Sequence, residues 1–151
     1  MVFGVLETEN LKIMKLKNIP KGNSKEDIKT RERIISDFYY EWKRSNPTQR
    51  LFNIDLKDYI NIRHISIIET VEHAARTYLS TLAVLQLDSI LTFAKKVRIV
   101  NVKPKDKNQN QFEKMIKMEY ELVGIGKVSL VVGVKRSNKE KVQYCITAIK
   151  I

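Results

Sequence analysis

Glu69, His73, Arg76 and Ser80 lie four, three and four residues apart. On a helix advancing about 100° per residue, these positions fall in one narrow stripe. The residue types in that stripe suit metal-independent cleavage of RNA. That reaction needs a base to activate the 2′-hydroxyl, an acid for the leaving 5′-oxygen, and cations for the charge on the phosphorane. Histidine changes charge near neutral pH, and a carboxylate one turn back orients it. Arginine one turn on holds a phosphate in a bidentate fork. The same stripe also reads as a solvated helix face, on which each i,i+3 or i,i+4 pair contributes about 0.3–0.5 kcal/mol.

Further candidates lie outside the stripe. Lys103, Lys105 and Lys107 alternate in a polar loop and suit phosphate tracking, or simple solvation. Lys135 and Arg136 end the first strand of a hairpin, where they flank a site built on that hairpin or form an ordinary charged strand end. Tyr144 and Thr147 fall on opposite faces of a regular strand, so both line one site only if a bulge intervenes. His64, next to Arg63, faces the same cleft or belongs to a loop. Two histidines nine residues apart and one cysteine make no zinc cluster and no HExxH helix. No GxGxxG or Walker loop occurs, and Gly124-Ile-Gly126 reads as a turn. Cys145 in mid-strand is a poor nucleophile candidate. The expectation is therefore a chain with neither metal nor cofactor.

These residues must be positioned by recognisable elements. Lys127–Ile151 alternates Val128, Leu130, Val132 and Val134, breaks at Ser-Asn-Lys-Glu, then alternates Val142, Tyr144, Ile146 and Ala148. That is a hairpin, and apolar residues on both faces make it central to a sheet. Val97–Val102 and Phe112–Val123 read as two preceding strands, joined by the loop from Lys103 to Gln111. Ser24 caps a helix on which Ile28, Ile35, Phe38 and Trp42 share a side, with Arg31 elsewhere on the cylinder, and the helix ends before Pro47. Arg50–Leu56 is a short strand and Lys57–His64 is ambiguous. Ser66-Ile-Ile-Glu69 is a capping box opening the helix that bears the stripe, and Ser80-Thr81 either continues that helix or caps the next. The expected class is α+β, with N-terminal helices packed on a C-terminal four-stranded antiparallel meander. Residues 1–23, with Leu11, Ile13 and Leu16, form an arm or short strand before a single domain over 24–151.

Charge narrows the partner. The 28 basic and 17 acidic residues give a net charge of +11. Residues 1–94 carry 14 basic and 12 acidic groups, whereas residues 95–151 carry 14 and 5. A half with a net charge of +9 points to a polyanion, most often nucleic acid. The 30% charged fraction, the lack of a long apolar run and the acidic residues near the start predict a soluble protein with neither membrane span nor secretory signal. A single cysteine fits the cytoplasm.

The order of elements and several short words resemble the barnase–EndoU–colicin–RelE-like nuclease superfamily. The closest likeness is to versions in large polyvalent proteins of phages and Bacteroides-type mobile elements. The likeness lies in Asn61–Thr70, Ser80–Val84, Pro104-Lys105, Gly133–Arg136 and Gln143–Ile149, within residues 24–150. It implies a metal-independent ribonuclease fold with its site on the concave sheet face. Helix-borne His73 and Arg76 would then work with Lys135, Tyr144 and Thr147 from the sheet. RNA is the expected partner ahead of DNA, with Glu69 orienting His73 and with Arg76, Lys103, Lys105, Lys135 and Arg136 on phosphates. The competing expectations are a nucleic-acid-binding module without catalysis and an interaction domain for an acidic protein.

Overall fold

The computed structural model describes residues 18–148. The expected arm or strand through Leu11, Ile13 and Leu16 lies outside those residues, as does Ile149. Among the described residues, four helices and six strands form an α+β fold. None of these helices is long and apolar enough to cross a membrane.

Helix α1 spans Lys25–Ser45. The Ser24 hydroxyl accepts from the Asp27 amide at 3.1 Å, Glu26 and Asp27 occupy the first turn, and Lys43 and Arg44 the last, all matching the helix dipole. Its buried side carries Ile35, Tyr39 and Trp42 as the spacing predicts, and also Arg31. The placement of Arg31 away from the core is thus corrected. Its guanidinium donates to the carbonyls of Pro20, Gly22, Ala75 and Arg76. The last two close the end of the next helix, where the partial negative charge of the carbonyls favours a cation.

Strands β1 (Arg50–Asn53) and β2 (Asp58–Asn61) form an antiparallel hairpin. Three short helices follow: α2 (His64–Ala74), α3 (Tyr78–Val84) and α4 (Leu87–Phe93). Then come β3 (Lys95–Val100), β4 (Phe112–Leu122), β5 (Gly126–Lys135) and β6 (Lys141–Ala148). These last four make the expected antiparallel meander. The meander is only part of the sheet, because β2 pairs in parallel with β6 at Asn61↔Val142. The result is a mixed six-stranded sheet in the order β1-β2-β6-β5-β4-β3, with β5 and β6 inside it. Strand β3 is exposed along its length, and Lys95, Lys96 and Arg98 guard that edge against pairing with another chain.

One sheet face carries Ile116, Met118, Val128, Leu130, Val132, Val134 and Ile146, packed with Ile35, Tyr39, Leu87, Ile90 and Leu91 of the helices. Burying each large aliphatic side chain contributes about 1.5–3 kcal/mol. Asn53 ties the hairpin to this core by donating to the carbonyls of Leu91 and Ala94. The sheet curls around the helices until Asp55, just past β1, accepts from the backbone amide of Lys96 in β3 at 2.8 Å. Among the described residues the helices pack against the inside of the curl. A second, smaller cluster of Phe112, Met115, Val142 and Tyr144 sits on the outer face.

Candidate functional site

A bulge in β6 sets the geometry. Pairing with β5 runs Ser129↔Thr147, Leu130↔Ile146 and Val131↔Cys145, then resumes at Val132↔Gln143. Tyr144 is the extra residue, and its insertion shifts the alternation of the strand. Gln143 and Ile146 both turn to the helices. Tyr144 packs edge-on against Phe112, with ring centroids 6.1 Å apart, in the outer cluster that Cys145 also joins. By register Thr147 shares that outer face. The bulge that Tyr144 and Thr147 needed in order to share a face is therefore present.

Helix α2 lies against the stretch of β6 that β2 leaves unpaired. It begins two residues before the expected cap: Ser66 is not the N-cap, and its hydroxyl accepts from the backbone amide of Arg63 at 3.0 Å. One side of α2 meets Gln143, whose amide donates to the Thr70 hydroxyl at 2.7 Å while its oxygen accepts from the Tyr39 hydroxyl at 2.6 Å. The neighbouring side carries Glu69, which is only 3% exposed. Its Oε1 accepts from the Tyr144 hydroxyl at 2.8 Å and from the Asn108 amide at 2.7 Å. Its Oε2 lies 3.2 Å from His73 Nε2. A buried carboxylate is tolerable only with such donors, and bonds to a charged acceptor are the stronger kind.

The imidazole of His73 is 37% exposed. With a proton on Nε2, the ring donates to Glu69 and keeps Nδ1 as an acceptor, which makes no hydrogen bond among the described residues. A partly exposed base held by a buried carboxylate suits proton abstraction.

The rest of the expected stripe is divided. The helix stops at Ala74, and Thr77 caps α3 by accepting from the Ser80 amide at 3.2 Å. Arg76 lies between the two helices and pairs with Glu72 at 3.7 Å, both side chains exposed. Ser80 is buried and accepts from the Ala148 amide at 2.8 Å, completing the backbone pairing of β6. Lys135 turns to Glu140 at 3.6 Å, and Arg63 binds the same carboxylate. Arg136 is exposed beyond the strand end, and its backbone amide donates to the Gln111 carbonyl. His64 opens α2 as an exposed residue. Thr147 is half-buried in the row beyond Cys145. The structure thus joins Glu69, His73 and Tyr144, and leaves Arg76, Lys135, Arg136 and Thr147 at its margins.

Asn108 is the residue sequence reasoning missed. Its loop is folded on itself: Asp106 accepts from the Asn108 amide, and the Gln109 side chain accepts from the Lys103 amide. The turn-forming Asn and Asp residues of this loop were the available signal. Asn108 docks the loop on Glu69, and Lys103, Lys105 and Lys107 point to solvent with no ion pair among the described residues. Burial, and then its bond to Glu69, pushes the Tyr144 hydroxyl well above the ordinary tyrosine range. Burial and the nearby Glu69 charge push the Cys145 thiol up to about 12, so it is held as an inert thiol. Glu69, Glu72 and His73 each offer one potential cation ligand, all within 4.8 Å of one another, although Glu69 already satisfies three protein donors.

No family model matches the chain, and neither a curated protein nor a solved structure matches it.

Proposed function

We propose that this protein engages RNA in the cytoplasm, tracking its phosphates with the loop that roofs Glu69. The carrying observation is the basic, ordered loop. Lys103, Lys105 and Lys107 stand exposed and without ion pairs among the described residues, while Asn108 anchors their backbone to a buried carboxylate. Lysines on a fixed loop bind a polyanion with less loss of chain freedom than lysines on a floppy one. The resemblance over residues 24–150 supports the same substrate class, and with it a role in a mobile element.

A second reading, metal-independent cleavage, is favoured by the Glu69–His73 pair. His73 Nδ1 would take the proton of a 2′-hydroxyl, with Glu69 stabilising the resulting imidazolium. The 2′-oxygen would bond to phosphorus as the P–O5′ bond breaks, leaving a 2′,3′-cyclic phosphate, and water would protonate the departing 5′-oxygen. That chemistry requires RNA, since DNA lacks the hydroxyl.

Both readings are tested with the purified chain. Binding to fluorescent RNA should weaken with salt, with a log–log slope reporting several phosphates. No binding at physiological salt removes the first reading. Incubation with total RNA in EDTA should give products that the His73→Ala variant does not. No cleavage by either protein leaves only a binding module, and equal cleavage by the variant removes His73 from any catalytic role.

A further inference from the structure

The β1–β2 hairpin carries an aromatic patch that the loop and the Glu69 cluster do not use. Phe52 and Tyr59 face each other in register, with their rings 5.5 Å apart and edge-to-face. They are 46% and 41% exposed, although large aromatic side chains are usually among the more buried. The Arg50 guanidinium lies 4.0 Å from the centroid of the Tyr59 ring. The opposite side of the same hairpin is packed on the core through Ile60 and Asn53, so the aromatic side is held outward by a fixed backbone.

Register connects this patch to the candidate site. Asn61 pairs with Val142, so Tyr59, two residues before Asn61, lies on the sheet face that carries Val142 and Tyr144. The charge around the patch suits a polyanion. Asp55 is engaged by the Lys96 amide and Asp58 by Lys141 at 2.7 Å. Arg50 and Lys57, both within the hairpin, are exposed and make no ion pair among the described residues. Exposed aromatic rings beside exposed cations suit unstacked bases and their phosphates, whereas a duplex hides its base faces.

Resting on the RNA-binding reading, we infer that Tyr59 and Phe52, with Arg50 beside them, form a stacking platform for unpaired bases of single-stranded RNA. Arg50 takes a neighbouring phosphate, and the strand runs from the platform along the outer face toward Glu69 and His73.

The test uses the full chain with single-stranded RNA of about ten nucleotides, a duplex of the same length, and an abasic strand with the same backbone. Tyr59→Leu and Phe52→Leu keep a strand-compatible apolar side chain and remove the ring face. Each should weaken single-strand binding about tenfold and leave abasic-strand and duplex binding unchanged. Tyr59→Phe should bind as the parent does, which controls for folding. Parent-like binding by both leucine variants overturns the platform while leaving RNA binding intact. An equal loss on the abasic strand also overturns it, because the patch would then act through charge or fold. A parent chain that binds none of the three probes overturns both this inference and the reading it rests on.

Discussion

The Tyr144 hydroxyl donates to the Glu69 carboxylate across 2.8 Å, joining a strand residue to a helix residue 75 positions away. The bond exists because β6 gains one residue at Tyr144, which turns that ring to the outer face where Glu69 is held. Without the bulge, Tyr144 would follow the alternation of Ile146 into the helix-facing core. Glu69 would then be a buried carboxylate one donor short.

Replacing Tyr144 by Phe tests that bond. The ring would still pack on Phe112, but Glu69 would lose a donor inside the protein. Unfolding free energy should fall by about 1–3 kcal/mol in urea titration. If His73 is catalytic, RNA cleavage should fall as well, since Glu69 would no longer be fixed.

Gly133 is required by a neighbour and not by its own backbone. A Cβ at this position would lie 2.6 Å from the Phe112 ring. Gly133→Ala should therefore cost about 1–3 kcal/mol through overpacking. Adding Phe112→Leu should recover part of that loss, and a double-mutant cycle on thermal or urea unfolding measures the coupling.

Arg31 is fully buried and holds four backbone carbonyls. Arg31→Met should destabilise by about 3 kcal/mol, because the end of α2 and residues 20–22 lose their shared donor. Lysine should not rescue it, since one ammonium cannot reproduce the planar fork. A stable Arg31→Met protein with unchanged amide exchange near Ala75 and Arg76 would count against this account.

Alkaline pH should destabilise the fold. Burial raises the phenols of Tyr39 and Tyr144 above the ordinary value near 10, and raises the Cys145 thiol to about 12. For each group the unfolded chain releases its proton at lower pH than the folded protein does. Their contribution to stability is therefore complete below the unfolded values. It declines as pH rises through about 8.5 for the thiol and about 10 for the phenols toward the folded values. Urea midpoints measured from neutral pH upward should fall in that window, and Tyr39→Phe should flatten the decline above about pH 10.

Replacing Lys103, Lys105 and Lys107 together by alanine tests the loop as a phosphate tracker. RNA affinity should weaken across all sequences, and the slope of log affinity against log salt should fall by about 2. Thermal stability should be unchanged, because the loop is docked by Asn108, Asp106 and Gln109.

What could be read from the sequence was local. Ser24 capping α1, the alternation of Val128 to Val134, and the break before Lys141 each depend on neighbours a few residues away. So does the charge of the C-terminal half, and so does the pairing of His73 with Glu69 one helical turn back. Non-local partners decided the rest. Asn61 joining Val142 in parallel turned a meander into a mixed six-stranded sheet. The stop at Ala74 and the cap at Thr77 split the stripe, sending Arg76 to Glu72 and Ser80 to the edge of β6. Arg31 reads as a surface cation until the carbonyls of two distant segments converge on it. Tyr144 reads as one member of a regular alternation until β5 and β6 are paired and one residue is left over. Periodicity reports which side of its own element a residue occupies. Only the assembled fold determines which atoms occupy the space on that side, and hence which polar groups find partners there.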